Sequence, residues 1–124
     1  MKNLSNISQE LKTLSSNELL KRLEDKAGVV RFYVFEELAN RVNSEPDILK
    51  SLKTALLSKS NKELRYRGST SISHLAMLAL LRTKSDLAQQ VVADVLEQMD
   101  GEDQRHFQWL IAQEHLDMPV LAVA

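Results

Sequence analysis

The sequence predicts an all-α protein, and three observations carry that reading. Its 124 residues include only three glycines and two prolines, too few for an all-β chain, which needs turn residues about every 8–12 positions. Apolar residues recur at three- and four-residue intervals along most of the chain, the period of a helix with one buried face. Helix-start signals separate these stripes: Ser with Glu three residues later, or Ser beside Pro and Asp. The composition, 44% apolar and 27% charged, is that of a folded chain. The length suits a single all-α domain, residues 1–124, or a few short repeat units.

Each element follows from its own residues. Leu4, Ile7, Leu11 and Leu14 form one stripe, which predicts a short N-terminal capping helix within 1–15. Ser15 and Glu18 read as a capping box that opens a helix over 16–25, with Leu19, Leu20, Leu23 and Ala27 on one face. Asp25 to Gly28 reads as a tight turn. In 28–43, Val30, Val34, Leu38 and Val42 recur every fourth residue, and Phe32, Tyr33 and Phe35 widen the apolar surface. A helix apolar on more than one side is sandwiched between neighbours. Ser44-Glu45-Pro46-Asp47 predicts a start with Ser44 as N-cap and Pro46 in the first turn. The helix that follows, 46–58, carries Ile48, Leu49, Leu52, Ala55 and Leu56.

Ser60 and Glu63 read as a second capping box, opening a helix over 60–82 with Leu64, Gly68, Ile72, Leu75, Ala76 and Ala79 along it. Gly68 costs about 1 kcal/mol there relative to Ala and admits a kink or break. Thr83 to Asp86 begins the helix 84–99, whose stripe Leu87, Ala88, Val91, Val92, Val95, Leu96 and Met99 is the cleanest in the chain. After the turn Asp100–Asp103, the last helix, 102–117, carries Phe107, Leu110, Ile111 and Leu116, and Pro119 ends it. The apolar tail 118–124 is expected to cover the open end of the last helix pair.

The helices fall into pairs, 16–43, 46–82 and 84–117, and the pairs repeat. Val30-Arg31 precedes Leu38 at the same spacing at which Leu64-Arg65 precedes Ile72, 34 residues later; Gln104-Arg105 stands similarly before Ala112. The run Glu24-Asp25, Val30-Arg31, Val34 and Leu38-Ala39 resembles a HEAT repeat. The second pair departs from the pattern, with Asn61 in place of the turn Asp and Gly68 and Ser69 in place of apolar residues. The third keeps Asp100 and Arg105. The resemblance implies a short right-handed α-solenoid of about three antiparallel helix pairs. It places Arg31, Arg65 and Arg105 at equivalent points on successive second helices. It also implies a structural ladder of arginine with turn aspartate, drawn from Asp25, Arg31, Asp100 and Arg105. An irregular helical bundle is the alternative fold.

The absence of cysteine excludes a disulfide scaffold, a Cys-ligated zinc site and a thiol nucleophile, and suits the cytoplasm. No apolar run reaches the roughly 18 residues of a membrane span, and the start MKNLSNISQE lacks the core of a secretory signal. The three histidines, His74, His106 and His115, form no metal-ligand pattern: Asp103 and His106 stand three apart, but no second such pair exists. Ser71 and Ser73 lie near His74 without an evident acid to orient it. There is no Gly-rich phosphate loop. The expectation is therefore no catalytic residue, no metal and no cofactor.

Charge is unevenly distributed. Residues 1–49 hold 7 Lys/Arg against 8 Asp/Glu, residues 50–84 hold 8 against 1, and residues 85–124 hold 1 against 8. The leading expectation is a non-catalytic protein–protein interaction module, a small adaptor or inhibitor, anchored by Phe32, Tyr33, Arg65, Arg67 and Trp109. The alternative is nucleic-acid or phosphate-group binding through Lys59, Lys62, Arg65 and Arg67, with Tyr66 able to stack on a base. Some HEAT-like proteins use a basic concave face for DNA, so the resemblance leaves that alternative open. Gly68, Ser69 and Ser71 read as small residues that let the aromatics of 28–43 nest between stacked pairs. The opposed charge blocks also permit head-to-tail self-association.

Overall fold

The computed structural model describes residues 4–68 and 70–114; the side chains of Leu4, Ser5, Tyr66 and Arg67 lie outside the described set. The described chain is mostly helical: α1 (Leu4–Lys12), α2 (Ser16–Lys21), α3 (Gly28–Arg41), a 3-10 turn (Pro46–Ile48), α4 (Leu49–Leu57), α5 (Lys59–Glu63), α6 (Ile72–Arg82), α7 (Asp86–Gln98) and α8 (Gly101–Glu114). Between α5 and α6 runs a small antiparallel hairpin, β1 (Arg65–Arg67) and β2 (Thr70–Ser71). The tail 118–124, Leu116 and Pro119 lie outside the described residues.

The sequence expectations hold best where the signal is local. Ser15 caps α2 by accepting from the Glu18 N–H, and Glu18 reaches back to the Ser15 N–H, so both halves of the capping box are present. The turn before α3 is closed by the Asp25 carboxylate, which accepts from the Ala27 N–H at 2.9 Å. Other boundaries shift. Ser44 donates its hydroxyl to the Arg41 carbonyl at the end of α3 and does not cap the next element, which begins as a 3-10 turn at Pro46. Ser58, not Ser60, caps α5 by accepting from the Asn61 N–H. Ser85 caps α7.

The largest correction concerns the predicted helix 60–82. It is broken into α5, the hairpin and α6. Gly68 stands at the hairpin turn with φ +56°, a left-handed conformation that L side chains adopt at a cost. A Cβ at Gly68 would meet nothing within 4 Å, so its glycine serves the backbone turn and makes no room for aromatics. Ser71 then caps α6 by accepting from the His74 N–H. Arg65 lies on a strand and is not equivalent to Arg31 on a helix. Ser69 lies outside the described residues.

The core is one continuous cluster. α3 packs on α6 and α1 on α3, while α4 packs on α7. α6 touches α3, α4, α5 and α7, and every residue from Ile72 to Leu81 is buried. That makes α6 the central helix, while α3 is sandwiched between α1 and α6 as its apolar pattern predicts. Phe35, Leu38, Leu52, Leu56, Met77 and Phe107 are among its fully buried side chains, each stabilising by about 2 kcal/mol through transfer from water.

Polar groups inside this core are satisfied: no buried side-chain N or O among the described residues lacks a partner. Ser73 donates to the Leu56 carbonyl at 2.7 Å and the Asn61 amide donates to the Ala55 carbonyl at 3.0 Å. Both carbonyls lie in the last turn of α4, where the Ala55 carbonyl also accepts the Ser58 N–H.

Candidate functional site

Two polar junctions and one exposed aromatic face contain the residues singled out by sequence. The first junction centres on Arg31, which is 8% exposed. Its Nε donates to the Asp25 backbone carbonyl. Nη1 donates to Ser60 Oγ at 2.8 Å and Asn61 Oδ1 at 3.1 Å, and Nη2 to the Glu24 carbonyl at 3.4 Å. The planar fork thereby ties the α2–α3 turn to α5. Asp25 takes part through its carbonyl, because its carboxylate is engaged with Ala27. At the other end, Asp100 Oδ1 accepts from the Asp103 N–H at 2.8 Å and starts α8. Arg105 is exposed, with Nη1 3.2 Å from where a Cβ on Gly101 would stand.

The second junction centres on His74, 4% exposed, at the start of α6. Its Nε2 lies 3.1 Å from the Asp103 carbonyl and its Nδ1 lies 2.9 Å from Ser71 Oγ. A carbonyl only accepts, so Nε2 carries the hydrogen and Nδ1 accepts the Ser71 hydroxyl hydrogen. Ser71 Oγ in turn accepts the His74 N–H at 3.2 Å. The ring is thereby held as the neutral Nε2–H tautomer. Burial lowers its pKa from 6.5, and His106 and Arg65 push the same way, while Asp103 opposes them through its carbonyl bond and its charge. The His74 ring stacks on Phe107 at 5.9 Å and meets His106 edge-on at 5.2 Å.

This pair resembles a serine–histidine dyad only on paper. Ser71 is fully buried and serves as a helix cap, and a backbone carbonyl, not a carboxylate, orients the ring. A nucleophile needs an open face where a substrate atom can sit about 3 Å away. Ser73 is also fully buried and spends its hydroxyl on Leu56. Among the described residues, no three His, Cys, Asp or Glu side chains gather as a metal-binding group.

Outward from His74 lies the aromatic face. His106 Nε2 stands 3.3 Å from Thr70 Oγ1, which joins α8 to the hairpin. The His106 ring stacks on Trp109, with centroids 5.9 Å apart and planes 21° apart. Trp109 is 56% exposed, although it is one of the largest apolar side chains in the chain. Arg65 is exposed on the adjoining strand, its Nη1 donating to the Lys62 carbonyl at 2.6 Å. The hairpin thus brings Arg65 to the same end of the molecule as His106 and Trp109, a juxtaposition that no local spacing in the sequence reveals.

The other sequence candidates are placed differently. Phe32 is buried in the core, its ring 5.4 Å from Tyr33 in an edge-on pair, so it is a packing residue and not a surface anchor. Tyr33 is half-buried and lines a cleft of about 260 Å³ with Glu36, Glu37 and Arg82. Lys59 is exposed and stands 4.0 Å from Glu63, while Lys62 is half-buried. The Arg67 and Tyr66 side chains and His115 lie outside the described set. Two further grooves separate α2 from α4 and α4 from α7, the latter flanked by the half-exposed Leu87. Among the described residues, no helix is long and apolar enough to cross a membrane. In comparisons with known proteins, no family model, no curated protein and no solved structure matches this chain.

Proposed function

We propose that this chain is a non-catalytic protein-binding module, a short α-solenoid of helix pairs that engages its partner through the face formed by Trp109, His106 and Arg65. The observation that carries the reading is the exposed Trp109 ring held flat against His106. Tryptophan and arginine dominate the energetics of protein interfaces, where they fill a partner's pockets. An anchor already stacked in place loses little freedom on binding, so more of its contact energy appears as affinity. The saturated, buried Ser71–His74 pair supports a non-catalytic role. The packing of α3 on α6 and of α4 on α7 supports successive stacked pairs. The Arg31 junction supports the same arrangement, since it links one turn to the next.

The test uses the chain's single tryptophan. Proteins retained by the immobilised wild-type chain are compared with those retained by the double variant W109A, R65A, with circular dichroism checking that both fold. Any partner so found is purified and titrated while Trp109 emission is followed. The reading requires a partner that binds the wild type, changes Trp109 emission and is lost with the double variant. Identical retention by both proteins would overturn it. Salt-sensitive binding of a labelled single-stranded oligonucleotide instead would favour the basic-face alternative.

A further inference from the structure

We propose that His74 is an acid-sensitive latch that holds the β1–β2 hairpin and α8 against α6 at neutral pH and releases them as the pH falls. The geometry makes it costly for the ring to accept a proton in place. Nε2 already carries the hydrogen donated to the Asp103 carbonyl, so an added proton must go to Nδ1. Nδ1 would then become a donor facing Ser71 Oγ. That oxygen would have to accept two hydrogens, from Nδ1 and from the His74 backbone N–H, and turn its own hydrogen elsewhere in a fully buried site. Among the described residues, the charged and titratable groups acting on the ring are Arg65 from β1 and His106 and Asp103 from α8. Two of the three oppose a positive ring; only Asp103 favours it. Hydrating a charged ring instead requires the elements packed over it, β2 at Ser71 and α8 at Asp103, to draw back from α6. Thr70 and His106 join the same two elements, so release also unseats the stack beneath Trp109.

The direction of the pH effect follows from linkage. The folded-state pKa lies below the unfolded value of about 6.5, so the unfolded or opened chain takes up the proton first. The stabilisation is complete above that value and is lost as the pH falls through the folded-state pKa. The inference holds whatever partner the Trp109 face binds.

The primary experiment is ¹H–¹⁵N correlation of the imidazole nitrogens of the wild-type chain from about pH 8 to about pH 5. His74 should remain the neutral Nε2–H tautomer at the top of that range. Its protonation should coincide with loss of amide protection at Ser71 and over Asp103–Trp109, and with a change in Trp109 emission. An ordinary His74 titration near 6.5 with those amides still protected would overturn the latch. A second measurement uses His74→Gln, whose amide can still donate toward Asp103 but does not titrate in this range. The wild-type urea midpoint should fall between about pH 7 and about pH 5, that of H74Q should stay level, and His106→Gln should keep the fall. Equal falls in wild type and H74Q would also overturn it. If H74Q does not fold, the wild-type spectra decide alone.

Discussion

The Arg31 and His74 junctions perform the same structural task with different chemistry. Each is a buried polar side chain that joins elements distant in sequence: Arg31 reaches Ser60 and Asn61, and His74 reaches Asp103. A guanidinium only donates, and that of Arg31 is surrounded by carbonyl, hydroxyl and amide oxygens that only need to accept. His74 is held neutral, because one nitrogen donates to a carbonyl and the other accepts the Ser71 hydroxyl hydrogen in a buried site. The first junction is insensitive to protons and the second is set by them. A buried cation and a buried imidazole therefore give the two junctions different responses to acid.

The comparison can be broken at its strongest point first. Arg31→Ala strands the buried Asn61 oxygen and removes the donor to two backbone carbonyls, and should cost about 3 kcal/mol, measured by urea unfolding. Arg31→Lys should recover only part of this, since an ammonium cannot reproduce the fork. If the Arg31 junction is pH-independent, Arg31→Ala should lower stability by the same amount at about pH 7.5 and about pH 5.5. A cost that changes across that range would tie the two junctions together.

Gly68→Ala should destabilise by about 1 kcal/mol through the left-handed backbone at φ +56°, because nothing surrounds the added methyl group. It should loosen the His74 end alone, seen as faster amide exchange in the hairpin and α8 with no change around Arg31. Asp94 offers a control in a separate window. Its hydrogen bonds from Lys53 and Gln90 hold its pKa below 3.8. Its stabilisation is present above about pH 3.8 and is lost only as the pH falls further, clear of the histidine range. The smallest effect is expected at Trp109→Ala, within about 0.5 kcal/mol of wild type, as for other exposed positions. A larger loss would show that Trp109 supports the fold and would weaken its assignment as an anchor.

The legibility of these features in the sequence depended on distance along the chain. The Ser15–Glu18 capping box needed only residues three apart, and it is present. The stripe Val91, Val92, Val95 and Leu96 was equally local and is buried. Phe32 and Trp109 looked alike as candidate anchors, yet one lies in the core and the other 56% exposed. Composition does not say which neighbour arrives to cover an aromatic ring. His74 was visible as a histidine near Ser71, but its third member is a backbone carbonyl, which no residue type announces.

The sequence by itself determined a helical protein, its apolar faces and the strongest of its caps, because backbone hydrogen bonds and side-chain spacing within one or two turns decide these. Tertiary structure decided the rest. It turned Arg65–Arg67 and Thr70–Ser71 from the middle of a helix into paired strands, with Gly68 at the bend and Ser71 bonded to His74. It also placed α6 at the centre and set Arg65 and Trp109 at one end. The physical reason is that contacts across some thirty residues overrode a weak local preference for helix.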